Sequence, residues 1–305
     1  MNPPLPKEII VFLHLAKTAG SSARALLAGQ FEADAVHYTR ARPRNEDFLR
    51  YLTGELPAPP PWKGVSANQL LAEELSALPA ERRARLRLVV GHYWYGVHEA
   101  LPRPGVYVTL LRDPVERALS LHAQRLRIDG FSVSLEDYVR EARDVYVDNG
   151  QVRRLAGLPP EGPRFPITDE TLELAKRHLE QVRVVGLTER FDEFVVLLSR
   201  EFGWRGLTAP SLNRTPARPR AQDVDPSVLE GIRALNRADQ ALYEHAVALI
   251  AARTASDRDR IDMDIRRLRS RTARRESAAR MTSRFRAARS RLARALRTGD
   301  TAEGP

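Results

Sequence analysis

Apolar residues in this chain gather in short unbroken runs instead of alternating with polar ones. The runs at 8–13, 86–90, 106–111 and 183–187 have the form of strands buried on both faces, as in a parallel sheet. Helical spacing fills the intervals at about 20–30, 66–85, 113–128 and 168–181. This alternation predicts an α/β class: a P-loop-like, three-layer α/β/α body with a central parallel sheet. Arg42-Pro43, Pro57, Pro59-Pro60-Pro61 and Gly64 mark 41–64 as a loop or lid on that body. Two more proline-rich stretches lie at 158–166 and 205–226. A helix over 226–253 then closes the body, with Pro226 in its first turn.

Beyond this point the pattern changes. Residues 256–297 are polar, rich in Arg, Ala and Ser, and free of Pro and Gly. Ile261, Ile265 and Leu268, then Met281, Phe285, Leu292 and Leu296, trace a thin apolar stripe at helical spacing. A basic helix of this kind suits docking, self-association or contact with an anionic surface. The chain therefore divides into a body, 1–253, and an Arg-rich helical extension, 254–305, with disorder expected from Thr298.

The formal net charge is +10, but the residues from Arg253 onward supply +9 of it and the first 252 residues only +1. Polyanion binding by the whole body is not implied, and nucleic acid is not a required partner. The absence of cysteine excludes disulfides and thiolate chemistry. No stretch reaches the roughly 18 apolar residues of a membrane span, and the first strand begins too early to leave room for a signal peptide. The expected location is cytoplasmic. No His/Asp/Glu cluster has metal-ligand spacing, so no metal is expected.

The most informative segment is His14-Leu15-Ala16-Lys17-Thr18-Ala19-Gly20-Ser21-Ser22, which joins the run Ile9–Leu13 to a helix-forming stretch. Strand, small-residue loop and helix start make an anion cradle, because the first-turn N–H groups lack intrahelical partners and the helix dipole adds positive potential. Only four of the 49 basic residues are lysines, and one of them, Lys17, stands in this loop. The loop is not a Walker A sequence, since its Lys precedes its Gly. Taken alone, it could also be an ordinary β–α turn.

A second segment, Val106–Leu111 followed by Arg112-Asp113-Pro114, delivers Arg112 at the end of a strand, where open α/β sheets bind ligands. Asp113 can cap the next helix, and Pro114 fits its first position. Ser120 follows Arg112 by about two helical turns and faces roughly the same side. A guanidinium fork with a hydroxyl suits a second phosphate. An Arg–Asp surface pair with a core-facing Ser explains the segment equally well.

Together the two segments resemble the nucleotide-dependent sulfotransferases, in particular the carbohydrate O-sulfotransferases of the heparan-sulfate type. Members carry a phrase like H-I-P-K-T-A-G-T-S after the first strand and one like T-x-L-R-D-P-V-x-R-x-x-S later. Val89-Val90-Gly91-His92, Asp148-Asn149-Gly150-Gln151-Val152-Arg153 and Val185-Gly186-Leu187-Thr188-Glu189-Arg190-Phe191 extend the similarity, in order, from about residue 8 to 220. The resemblance implies transfer from 3′-phosphoadenosine 5′-phosphosulfate (PAPS). Lys17, Thr18, Ala19, Gly20, Ser21 and Ser22 would hold its 5′-phosphosulfate, and Arg112 and Ser120 its 3′-phosphate. Ala16 and Ser21 depart from the usual Pro and Thr; neither change removes a ligand.

Lys17 is the expected cation at the leaving phosphate and the transferring sulfuryl group. His92, following Leu86–Val90 and Gly91, is the expected base toward the acceptor hydroxyl. His98 and Glu99 are the alternative base or acceptor contacts. Asn149 and Arg153 match a family position near acceptor or nucleotide, and Asn213 and Arg214 are candidates to close over the 3′-phosphate. His14 reads as a core residue; His122, His178 and His245 read as solvated. Trp62, Tyr93, Trp94 and Tyr95 offer aromatic faces to a sugar or aryl acceptor, or pack in the core. The expected partner is a hydroxyl-bearing acceptor, a carbohydrate, glycolipid or small metabolite. Two other classes remain open at this point: a kinase-like phosphoryl transferase, and a non-enzymatic polyanion- or membrane-binding protein acting through the basic extension.

Overall fold

The computed structural model describes residues 7–39, 50, 66–128, 132–142, 144, 146–158, 166–209 and 219–298. Strands β1 (Ile9–Leu13), β2 (Val36–Tyr38), β3 (Leu88–Gly91), β4 (Gly105–Leu111) and β5 (Val184–Leu187) form one sheet. Its order is β2-β3-β1-β4-β5, with every pairing parallel. All five residues of β1 are buried, because helices cover both sides of the sheet. That double burial is why the strands appear in the sequence as unbroken apolar runs.

Side-chain alternation assigns each strand residue to a face. Ile10, Phe12, Leu88, Val90, Val108 and Leu110 pack with helix α1 (Gly20–Ala28). Ile9, Val11, Leu13, Val89 and Leu111 pack on the other side with α2 (Ala67–Ser76). A short α3 (Ala80–Arg85) leads into β3. After β4 come α4 (Pro114–Ile128), α5 (Leu135–Glu141) and α6 (Gly150–Ala156); α7 (Asp169–Glu180) precedes β5 and α8 (Phe191–Phe202) follows it. Then come α9 (Pro226–Leu235), α10 (Arg237–Thr254) and α11 (Arg258–Thr298). Helices α6, α7 and α10 join α2 on its face, whereas α8 and the first turns of α11 join α1. A smaller core forms where α4, α5 and α9 meet, around Leu119, Tyr138, Val139 and Ile232.

The predicted three-layer architecture is present, and three details differ. The helix expected over 66–85 breaks into α2 and α3 at Pro79, which cannot continue the ladder. The helix expected over 226–253 breaks at Asn236, whose side-chain amide donates to the Ile232 carbonyl at 2.9 Å. Strand β2 was too short, at three residues with an exposed Tyr38, to show as an apolar run. The expected Pro226 start of α9 holds, with Asp225 as its cap.

The body does not stop at 253. Ile261 and Leu268 of α11 are buried in the core beside α8, and Ile265 packs against them. Arg200 bridges to Asp257 at 2.7 Å and Asp264 at 3.2 Å, and Arg269 reaches Asp192 at 2.7 Å. Docking is therefore the observed use of the first part of the apolar stripe. No helix among the described residues is long and apolar enough to cross a membrane.

One buried ion pair ties the two cores together. Asp239, fully enclosed at the start of α10, meets the equally enclosed Arg117 of α4 at 3.1 Å. Its carboxylate also accepts the backbone N–H groups of Gln151 and Val152, capping α6. Arg117 donates in turn to the Tyr146 carbonyl at 2.7 Å. A pair this enclosed depends on the hydrogen bonds that both carboxylate oxygens and both terminal guanidinium nitrogens make, because an unpaired charge here would carry the whole desolvation cost.

Candidate active site

The loop between β1 and α1 is a strained piece of backbone. Lys17 (φ 69°) and Ala19 (φ 60°) both take left-handed conformations, at a cost of about 1–2 kcal/mol per residue. Thr18 lies between them, fully buried, its hydroxyl donating to the Leu15 carbonyl at 2.9 Å. Alternation of left- and right-handed residues turns successive backbone N–H groups toward one concavity, an anion-binding nest. Helix α1 then begins on Ala19 with no side-chain cap and no acidic residue in its first turn. By contrast Ser66, Ser134, Thr168 and Asp225 cap α2, α5, α7 and α9. The Ser22 N–H donates to the Ala19 carbonyl at 3.1 Å, and no side chain caps the donors that precede it in the first turn of α1, with Ser21 exposed and Ser22 buried.

The two strands flanking β1 hold this loop from opposite sides. His92, directly after β3, contacts the His14 carbonyl through Nδ1 at 2.8 Å. A carbonyl only accepts, so Nδ1 carries the proton and Nε2 is the basic nitrogen. Arg112, directly after β4, donates through Nη1 to the Lys17 carbonyl at 3.1 Å. Its guanidinium also faces Glu116 at 3.5 Å and Glu189 at 3.8 Å. Ser120 lies on α4, buried.

His14 stacks between Phe12 and His92, at ring distances of 5.5 and 4.2 Å. Expected in the core, it instead presses on the loop: a Cβ on Gly20 would come within 1.8 Å of its Nε2. Close approach is what requires glycine here. Desolvation, then the Arg154 guanidinium, lower the His92 imidazole to about 4, against the opposing pull of the His14 carbonyl. The side chain is exposed on its outer side, and the lowered imidazole is neutral at pH 7. His14 is also held well below the ordinary value, by burial and then by the neighbouring His92.

Arg154 was not singled out by the sequence, which pointed to its neighbour. It is buried, donates to the carbonyls of His92 and Tyr93, and lies over the Trp94 ring at 3.9 Å. Arg153 is committed to Asp148 at 2.9 Å. Asn149, left-handed at φ 47°, accepts the Asp239 N–H at 2.9 Å. Both shape the start of α6. Nothing in a run of two adjacent arginines marks which one turns toward His92.

Other candidates fall elsewhere. His98 and Glu99 stand on the turn before β4, at the opposite end of the strands from the loop, with His98 held by the Tyr107 hydroxyl at 2.9 Å. Tyr93 and Trp94 are core residues, and Tyr95 stacks on His178 at 3.8 Å. The three histidines expected to be solvated all have protein partners. His122 is buried with Nε2 at 2.9 Å from the Val133 carbonyl, His178 contacts the Leu155 carbonyl at 2.7 Å, and His245 lies 3.0 Å from Glu180. Asn213, Arg214, Trp62 and most of the proline-rich stretches lie outside the described residues.

Similarity to known proteins places the chain in a family. Heparan-sulfate 6-O-sulfotransferase 1 of Cricetulus griseus is 30% identical over 295 residues, covering 81% of this chain and 68% of that protein. The chain belongs to the carbohydrate O-sulfotransferase family. Heparan-sulfate 6-O-sulfotransferase 2 of Gallus gallus is 26% identical, covering 86% of this chain and 72% of that one. Galactose-3-O-sulfotransferase 3 of Bos taurus is 26% identical, covering 84% and 60%. The sulfotransferase thus spans about two thirds of the length of the curated relatives it matches. No protein-family model matches it. A solved sulfotransferase from Alicyclobacillus acidocaldarius aligns at 17% identity and a TM-score of 0.40, covering 79% of this chain and 95% of that one. Family membership makes the protein a sulfuryl-transferring enzyme and sets aside the kinase-like and non-enzymatic alternatives.

The contact between His14 and Gly20 is directly testable. Gly20→Ala forces the imidazole away and moves the loop, and should lower transfer by about 100-fold, the scale of a 1 Å misplacement. A variant with activity within about twofold of the parent would show that the ring does not need this space.

Proposed function

We propose that this sulfotransferase moves the sulfuryl group of PAPS to a hydroxyl on a carbohydrate-containing acceptor, with no metal in the step. The observation that carries the reading is the pair of contacts on one loop: His92 on the His14 carbonyl and Arg112 on the Lys17 carbonyl. These contacts support reading His92 as the base, the loop as the anion cradle and Arg112 as the second phosphate contact, since all three lie at the ends of adjacent strands. The acceptor class is supported by the relatives, which are named for heparan sulfate and galactose.

The cradle fits a phosphosulfate. Backbone donors from Thr18 to Ser22 and the Lys17 ammonium would surround the 5′ end, and Arg112, with Ser120 on α4, the 3′-phosphate. In the step, the acceptor oxygen bonds to sulfur as the bond from sulfur to the bridging phosphate oxygen breaks. The hydroxyl proton passes to His92 Nε2. Negative charge collects on the departing adenosine 3′,5′-bisphosphate, where Lys17 and the first turn of α1 stabilise it. The local field is the sum of fixed dipoles and one mobile cation, which is effective in a nearly neutral body.

Calorimetry should show adenosine 3′,5′-bisphosphate binding without magnesium, and the absence of binding would overturn the proposal. Lys17→Ala should abolish transfer. His92→Ala should keep nucleotide binding and lose turnover by about 100-fold or more. Because His92 is held below the ordinary imidazole value, the acid limb of kcat/KM should lie below pH 6.5. An acid limb centred on the ordinary histidine value would contradict the neutral, Nδ1-protonated ring.

A separate proposal concerns α11. Arg266, Arg271 and Arg274 are exposed, and Met281 is 59% exposed. Like-charge repulsion disfavours pairing two such helices, so residues 256–297 are proposed to contact an anionic surface in preference to a second copy. The protein should sediment with vesicles of anionic lipid and be released by salt. Equal binding to neutral vesicles, or none to either, would remove this role.

A further inference from the structure

Gln151 sits one residue into α6 and is almost fully enclosed. Its side-chain amide makes a pair of hydrogen bonds to the backbone of one residue, and it also faces the Asp239 carboxylate. Nε2 donates to the Arg112 carbonyl at 2.9 Å, and Oε1 accepts the Arg112 N–H at 3.0 Å. Arg112 lies just past the last β4 residue paired to β5, Leu111, so its own peptide groups extend beyond that sheet ladder. The carboxamide replaces the missing strand, offering one donor and one acceptor side by side. Glutamate would lack the donor and leucine both groups.

The clamp is itself anchored. The Gln151 N–H donates to the Asp239 carboxylate at 3.1 Å, and the Asp239 N–H donates to Asn149. Asp239 is paired with Arg117. From α10 to the loop the sequence of contacts is Asp239, Gln151, Arg112, Lys17. Each link is a hydrogen bond between buried or half-buried groups, so a displacement at one end has little room to relax before it reaches the other.

We infer that Gln151 is a positioning residue for Arg112: its amide fixes the strand-end backbone from which the guanidinium reaches a phosphate. The role rests on the reading of Arg112 as the 3′-phosphate contact. Removing the amide leaves the guanidinium chemically intact but lets its root shift, so the loss should be confined to ligands that carry a 3′-phosphate.

The test compares adenosine 3′,5′-bisphosphate with adenosine 5′-monophosphate by calorimetry on the full chain. The variants are Gln151→Met, Gln151→Leu, Arg112→Ala and the double change. Each Gln151 variant should weaken the bisphosphate about tenfold, leave the monophosphate within twofold, and add nothing in the Arg112→Ala background. Monophosphate binding doubles as the check that the loop and fold are intact, and the two Gln151 variants guard against one failing to fold. Equal weakening of both nucleotides would make Gln151 a general structural residue and overturn the inference, as would no weakening of either. An Arg112→Ala protein that keeps the full preference for the bisphosphate would instead overturn the 3′-phosphate assignment, and with it this role.

Discussion

The carbonyls of His14 and Lys17 are the two points at which neighbouring strands grip the loop after β1. Lys17 and Ala19 are held there in left-handed conformations that L-residues avoid, together costing about 2–4 kcal/mol. The hydrogen bonds from His92, Arg112 and Thr18 are of the same order, about 1–3 kcal/mol each. The central place of β1 between β3 and β4 makes this possible, since a loop at a sheet edge could be gripped from one side only. The same contact that fixes the His92 tautomer also fixes the loop. The residues proposed as base and cradle are therefore set by one geometry.

Much of this was legible in the sequence because its signals are local. A strand buried on both faces gives an unbroken apolar run, and a small-residue loop opening a helix is read within nine positions. Asp113 and Pro114 mark the start of α4 in the same way, and Asp113 does accept the Glu116 N–H at 2.9 Å. What stayed hidden depends on distant pairs. Gln151 finds Arg112 across 39 positions, Arg154 finds His92 across 62, and Asp239 finds Gln151 across 88. No period or propensity announces such meetings; the sheet order creates them. The mistaken solvation of His122 has the same origin, because its partner at Val133 belongs to a connection whose path the sequence does not show.

Charge is distributed to match. With the basic excess confined to the extension, the body presents local fields in place of a global one. Glu116 and Glu189 flank Arg112 and give its guanidinium anionic neighbours when no phosphate is present. Glu189 also accepts from the Tyr243 hydroxyl at 3.1 Å and the Asp113 N–H at 3.3 Å, so it is fixed by α10 and α4 together.

A crystal structure with adenosine 3′,5′-bisphosphate tests the central claim most directly. The account predicts the 5′-phosphate on the backbone N–H groups of Thr18 to Ser22 with the Lys17 ammonium beside it, the 3′-phosphate on Arg112, and the His14 and Lys17 carbonyls still bonded to His92 and Arg112. A nucleotide bound away from this loop, or a loop that abandons its left-handed residues to accept it, would contradict the account.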